Sequence, residues 1–325
     1  MAIKKSLLRK PQARKQGIKI LCFGVDGSGK SVFGLSFPEV AVIDTESKVG
    51  VYENNPKYNK NLVAVADTSN YYDTLDIIQE VVDNNLCKTL MIDSETYIKE
   101  SLEVACMEVE EARAAKKGGN IDDQTISMRG YGKIKLNSNR MRLLKAQASA
   151  KGITIISTAH KEDIMQKVGS EQVKVGEKPA LRKNAQHDYD VILRFYKERN
   201  MATGAIKFLA EVEKDTTCTF PVGTILENAS YDLFKEFMEA NDKLKSVDTQ
   251  YGGAIENEIA KMTEENKTFD DTVKEFVELF KALKAKDESN TAKVQALLQE
   301  KGIKSYKDQE TAAQLTEVVA ILKTM

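Results

Sequence analysis

The first apolar run of the chain, Ile18-Lys19-Ile20-Leu21-Cys22-Phe23, stops at a glycine, crosses a polar loop and gives way to Val32-Phe33-Gly34-Leu35. Short apolar runs then recur at Val40-Ala41-Val42-Ile43, Leu90-Met91-Ile92 and Ile153-Thr154-Ile155-Ile156. They are continuously apolar rather than alternating, the pattern of parallel strands covered on both faces. Each ends in a polar cluster: Asp44-Thr45-Glu46, Asp93-Ser94-Glu95 and Ser157-Thr158-Ala159-His160. Helical segments, among them Tyr72–Asn84 and Lys133–Ala150, lie between the runs. Val191–Tyr196 and Ile206–Val212 flank a polar turn containing Gly204, which predicts an antiparallel pair. The pattern predicts an α/β fold, a mainly parallel central sheet flanked by helices, with its chemistry at the carboxyl ends of the strands.

Toward the C-terminus the period becomes helical. Leu233, Phe234, Phe237 and Met238 form one apolar face that closes the core. The polar stretch from Ser246 to Gly252-Gly253 reads as a linker. Phe269, Val273, Phe276, Val277, Phe280 and Leu283 follow a cap at Thr268 with Asp271. Val294, Leu297 and Leu298 follow caps at Ser289 and Asn290 and end at Gly302, and Leu315, Val318, Val319 and Leu322 form the last stripe. The expected organisation is a basic arm over 1–16, a core over 17–243, a linker over 244–266 and a three-helix module over 267–325.

At 325 residues, 42% hydrophobic and 30% charged, the composition is that of a soluble globular protein of about two domains. No apolar run is long enough to cross a membrane, and the N-terminus lacks the apolar core of a secretory signal, so a cytoplasmic location is expected. Cys22, Cys87, Cys106 and Cys218 are scattered and read as buried thiols, not as a disulfide frame or zinc site. With His160 and His187 the only histidines, His-rich metal chemistry is excluded. A net charge of −1 means that any nucleic-acid affinity must come from local patches. One such patch is the N-terminus, where Lys4, Lys5, Arg9, Lys10, Arg14, Lys15 and Lys19 stand without an acid. It reads either as a solvated tail or as an arm on phosphates or a neighbouring subunit.

Gly24-Val25-Asp26-Gly27-Ser28-Gly29-Lys30-Ser31 fits the phosphate-loop pattern G-x-x-x-x-G-K-[ST] between a strand and a helix. That context points backbone N–H groups and a helix N-terminus at a polyphosphate. Gly24, Asp26, Gly27, Ser28, Gly29, Lys30 and Ser31 are the expected nucleotide contacts. Lys30 would reach the β- and γ-phosphates, and Ser31 would bind Mg²⁺. Asp93, directly after an apolar strand, is the second metal-site candidate. Glu46, on a strand expected beside the loop strand, is the candidate base for the attacking water, with Glu95 as its rival. Thr158 and His160, at a further strand end, are positioned to sense the γ-phosphate.

Together these residues resemble the RecA core family: phosphate loop, strand ending Asp-x-Glu, strand ending in Asp, strand ending in a polar sensor. The resemblance implies a RecA-like ATPase using ATP and Mg²⁺, with Glu46 as catalytic base in preference to Glu95. It extends to Glu211-Val212-Glu213-Lys214-Asp215 before Phe220-Pro221, where RecA-like filaments supply lysines to a neighbour's nucleotide. Lys214 matches, whereas Thr216 stands where a second lysine is expected. Lys19–Gly24, Tyr131-Gly132-Lys133 and Thr158-Ala159-His160 resemble more closely the phage-encoded Sak-four type of single-strand annealing and recombination ATPases. The likeness covers about residues 17 to 225 and leaves out the last hundred.

RecA-like proteins hold single-stranded DNA in loops after the second-acid and sensor strands. The matching stretches carry Lys116, Lys117, Arg129, Tyr131 and Lys133 in one and Lys161, Lys167, Lys174, Lys178, Arg182 and Lys183 in the other. Cations neutralise phosphates and a tyrosine can stack on a base, while Glu162, Asp163, Glu171 and Glu177 dilute the second stretch. The expected function is an ATPase acting on single-stranded DNA in phage recombination, annealing or replication, as a homo-oligomeric filament or ring. Its C-terminal module would bind a factor such as a single-strand-binding protein. The alternatives are a helicase-type motor and a nucleotide-dependent protein-binding switch. Asn266-Lys267-Thr268-Phe269 lacks the aspartate of a guanine-reading N-K-x-D, and no lid of a small-molecule kinase is evident.

Overall fold

The computed structural model describes residues 10–245 and 254–325. They fall into two compact units, Met1–Tyr251 and Gly252–Met325. In chain order the first unit contains β1 (Lys19–Gly24), α1 (Lys30–Leu35), β2 (Val40–Asp44), α2 (Gly50–Glu53), β3 (Leu62–Asp67), α3 (Tyr71–Asn84), β4 (Thr89–Asp93), α4 (Glu95–Lys116) and α5 (Met128–Ala150). There follow β5 (Thr154–Ala159), β6 (Lys161–Val168), β7 (Glu171–Pro179), β8 (Val191–Arg199), β9 (Ile206–Asp215), β10 (Ile225–Glu227) and α6 (Lys235–Asp242).

Eight strands form one sheet in the order β10-β9-β8-β1-β5-β4-β2-β3. From β8 to β3 all neighbours are parallel, and β8 with β9 makes the expected antiparallel pair. The continuous apolar runs are explained by cores on both faces. Because side chains alternate along a strand, Met91 and Ile156 pack on one face with Phe33 of α1, Met238 of α6 and Phe234 just before it. Leu90, Ile92 and Ile155 pack on the other with Ile78 of α3, Ile98 of α4 and Ala148 of α5. Phe234 and Met238 close the core as expected, but Leu233 of the same predicted face is exposed. Of the four thiols, Cys22 and Cys87 are buried, whereas Cys106 is half-buried and Cys218 exposed, so the reading of four buried thiols holds for two.

Three expectations change. The stretch from Lys161 to Arg182 is a β-hairpin, β6 on β7, rather than a loop. Its mixed charges are ladder partners: Lys178 bonds Glu162 across the pair, and Lys174 bridges Asp163 and Glu177. Residues 14–16 belong to the core, not to an arm. Gln16 exchanges hydrogen bonds with Asn241 at 3.2 and 2.8 Å, and Lys15 pairs with Asp242 at 2.8 Å. Lys4, Lys5 and Arg9 of the expected arm lie outside the described residues. Edge strand β3 was not among the expected strands, although Leu62-Val63-Ala64-Val65-Ala66 is an apolar run; at the sheet edge none of its residues is fully buried.

The second unit holds α7 (Ala254–Lys286), α8 (Asn290–Glu300) and α9 (Ala312–Leu322) around Phe276, Leu283, Val294, Ile303, Leu315, Val318, Val319 and Leu322. The three-helix expectation holds, but the linker expectation for 254–266 does not. That stretch has no Gly or Pro beyond Gly253 and is rich in helix formers, so it continues α7. Thr268 is accordingly inside the helix, its carbonyl accepting the Thr272 hydroxyl at 3.0 Å, and is not a cap. The remaining linker, 246–253, lies outside the described residues.

Candidate functional site

β1 runs into the phosphate loop through Gly24, where a Cβ would stand 1.9 Å from the Phe195 carbonyl oxygen, so no other residue fits. Gly29 precedes α1 with a left-handed φ of 99°, which glycine adopts without steric cost. The Ser28 hydroxyl donates to the Val25 carbonyl at 2.7 Å and braces the curve. Lys30 is buried, and its Nζ donates to the Gly24 and Val25 carbonyls, both at 3.0 Å. Burial lowers its pKa, with Asp26, Asp93 and Glu46 acting in the opposite sense.

A cavity of about 200 Å³ joins Asp26, Gly27, Ser28, Gly29, Lys30 and Ser31 to Glu46, Lys48, Asp93 and His160. Residues from three strand ends and the loop therefore meet in one cleft. β2 is not adjacent to β1, as had been expected of the strand carrying Glu46; β5 and β4 stand between them. Glu46 reaches the cleft because the chain turns after β2. Asp44 makes that turn, its two carboxylate oxygens accepting the backbone N–H of Glu46 at 3.0 Å and of Val49 at 2.7 Å. Thr45 ties the turn to β4, accepting from the Ser94 N–H at 2.7 Å and donating to the Ser94 carbonyl at 2.9 Å.

The Glu46 carboxylate is gripped from both sides. Lys48 pairs with one oxygen, and His160 Nε2 lies 3.0 Å from the other. Burial acts to raise its pKa, but these hydrogen bonds outweigh it, and the net shift is downward. Glu46 is thus an anion at neutral pH. Glu95, the rival, is elsewhere: its carboxylate is buried against Lys145 Nζ at 2.8 Å and the Tyr189 hydroxyl. A carboxylate so occupied cannot orient water in the cleft.

Asp93 is buried, and burial pushes its pKa up, while the Ser31 and Thr158 hydroxyls pull it down. Thr158 donates to Asp93 Oδ1. A buried carboxylate beside the Ser31 hydroxyl is a hard-oxygen set that suits Mg²⁺ shared with phosphates. Ser31 and Asp93 would hold the ion. The His160 N–H donates to Thr96 Oγ1 at 3.0 Å and its carbonyl accepts the Ala180 N–H at 2.8 Å. The residue expected to sense the γ-phosphate is therefore fastened to the base of the β6–β7 hairpin.

A second cavity of about 570 Å³ opens beside the loop, lined by Gly27, Tyr52, Tyr58, Phe195, Phe208 and Asn228 among others. Aromatic walls with a few polar groups suit a planar base. The sequence reading missed this pocket, because its rings come from separated segments, and missed Lys48. Asp44 was legible in part, since an aspartate at a strand end favours an Asx-type turn.

Lys214 lies at the far end of the sheet. It pairs with Ile192, and its Nζ donates to the Tyr189 carbonyl, away from the chain's own phosphate loop. Of the DNA candidates, Lys116 ends α4, Lys117 follows it, and Arg129, Tyr131 and Lys133 are exposed on the first turns of α5. The structure does not gather the remainder with them. Lys174 and Lys178 are bound to acids within the hairpin, Arg182 pairs with Asp188, and Lys183 is exposed beyond the hairpin. No helix among the described residues is long and apolar enough to cross a membrane.

Residues 16–220 match a family model described as an AAA domain, AAA_24. Among solved structures, the flagellar accessory protein FlaH from Methanocaldococcus jannaschii is similar at 11% identity and a TM-score of 0.37, over 66% of this chain and 85% of that one. No curated protein matches.

Proposed function

The chain belongs to the AAA-domain family, whose model spans residues 16–220, and we propose that it is a Mg²⁺-dependent ATPase acting on single-stranded DNA in recombination, strand annealing or replication. ATP binding and hydrolysis are what this P-loop family does. The observation that carries the rest of the site is the one cleft shared by Lys30, Ser31, Glu46, Asp93 and His160.

In the proposed cycle the phosphates lie on the loop's N–H groups and the α1 N-terminus. Lys30 exchanges its two carbonyl partners for phosphate oxygens. Ser31 and Asp93 would hold Mg²⁺, which would supply charge neutralisation at the transferring phosphoryl group. Glu46, an anion held in place by Lys48 and His160, orients water for attack and takes up its proton. Since His160 is fastened to the hairpin, a change at Glu46 on phosphate release reaches β6 and β7. Lys214, facing away from its own loop, would reach an adjoining copy's nucleotide in a filament or ring only by giving up its bonds to the Tyr189 and Gln186 carbonyls.

The DNA reading is supported by α5. It carries Arg129, Lys133, Lys135, Arg140, Arg142 and Lys145 and no acidic residue. All but Lys145 are exposed, and none of these five makes an ion pair among the described residues. Arg129, Lys133 and Arg140, at i, i+4 and i+11, share one helix face, and such a stripe neutralises phosphates without reading sequence. The second unit has its own core and is the proposed docking module for a factor such as a single-strand-binding protein. The test is ATP turnover with and without single-stranded DNA across a salt series. Stimulation that fades with salt supports the reading. Directional strand displacement would mark a helicase motor, and turnover indifferent to DNA a protein-binding switch.

A further inference from the structure

We propose that Lys197 of β8 is a phosphate-binding residue of this site, supplied by the chain itself. This rests on the nucleotide reading above. Its ammonium nitrogen lies 3.5 Å from where a Cβ would stand on Gly27, in the middle of the phosphate loop. Phe195, two residues earlier and so on the same strand face, lines the pocket beside the loop together with Gly27. Phe208, which faces Lys197 in the β8–β9 register, lines it too. Three independent features therefore bring this lysine to the loop's edge.

The other lysines around the loop are engaged. Lys30 is bonded to loop carbonyls, Lys48 to Glu46, and Lys57 lies over the Tyr58 ring. Lys197 is exposed and has neither an ion-pair nor a hydrogen-bond partner among the described residues. The cleft needs the charge. Its lining brings Asp26, Glu46 and Asp93 against Lys30 and Lys48, a carboxylate excess before any triphosphate arrives. Family resemblance directs attention to Lys214 instead, but that side chain is bound at the opposite end of the sheet. A long lysine at the loop's open rim can follow the phosphate chain without any backbone movement.

Binding of ATP, ADP and adenosine to the full chain, its Lys197→Met and Lys197→Arg variants, and Lys30→Ala tests this. Lys197→Met should weaken ATP and ADP by about three- to tenfold, the range for one partly solvated charged contact. Adenosine should bind unchanged, and Lys197→Arg should recover most of the loss. Unchanged ATP binding by Lys197→Met, or an equal loss of adenosine, overturns the assignment. If that happens while Lys30→Ala still loses ATP, the nucleotide site stands and Lys197 alone is excluded from it. If the wild-type chain binds no ATP, the underlying reading fails as well.

Discussion

His160 Nε2 stands 3.0 Å from Glu46 Oε1, across 114 residues of chain. This contact links the end of β5 to the turn after β2, on either side of β4. It gives the carboxylate a fixed direction, and it places the proposed base and the hairpin anchor in direct contact.

Glu46→Gln keeps the size and the hydrogen-bonding reach of the side chain but cannot take a proton. ATP should still bind, and hydrolysis should fall by about 10²- to 10⁴-fold. Nucleotide binding and phosphate release, measured side by side, check this. Normal turnover by Glu46→Gln would remove it from the chemistry.

Lys30 is the buried cation of the loop, with its ammonium already among the carbonyls that a phosphate would replace. Lys30→Ala should lower turnover by about two orders of magnitude or more, as for loss of a group aimed at transition-state charge. Phosphate release at saturating ATP reads the loss.

Glu95 and Lys145 form a buried pair, completed by Tyr189 with the Lys145 ammonium 4.7 Å from its ring centre. Glu95→Gln leaves the ammonium buried and unpaired, so it should cost about 3–5 kcal/mol of stability. The double variant Glu95→Gln, Lys145→Met should recover part of it. Thermal melts measure the cost, and turnover per folded molecule of Glu95→Gln should match wild type, unlike Glu46→Gln.

Glu177 closes the base of the hairpin. Hydrogen bonds from Lys161 and Lys174 lower its pKa from 4.5 to about 2. A carboxyl whose folded pKa is depressed stabilises the fold fully above its unfolded value. That contribution fades as pH falls through the folded value. Amide protection in β6 and β7 should therefore hold down to about pH 4.5 and decline toward pH 2, and Glu177→Gln should lack this step.

The basic stripe of α5 predicts a salt effect. Reversing Arg129 and Lys133 to Glu should weaken single-stranded DNA binding for every sequence alike. It should also flatten the dependence of log affinity on log salt, by about 0.7 per lost phosphate contact on a single strand. An unchanged slope would take α5 out of the interface.

Most of the sheet was legible in the chain because its parallel strands are buried on both faces, and such burial leaves uninterrupted runs such as Leu90-Met91-Ile92. The hairpin was not, because β6 and β7 pair through mixed charges and bury little. Its one local signal was the two-residue turn Gly169-Ser170 between paired Val168 and Glu171. The start of α7 was hidden by the same cause: Ile259 and Met262, described apolar positions near its start, are exposed.

By itself the sequence determined the phosphate loop, since its glycines and lysine act through local backbone geometry at adjacent positions. It also named Glu46 and Asp93 as acids at strand ends, without deciding between Glu46 and Glu95. Only the tertiary structure separates the two: it buries Glu95 against a lysine fifty residues away and turns Glu46 into the cleft, where we propose it as the base. The same holds for Lys197 and Lys214. Whether a lysine on a strand reaches a nucleotide depends on strand order and register, and those are set by the packing of the whole sheet.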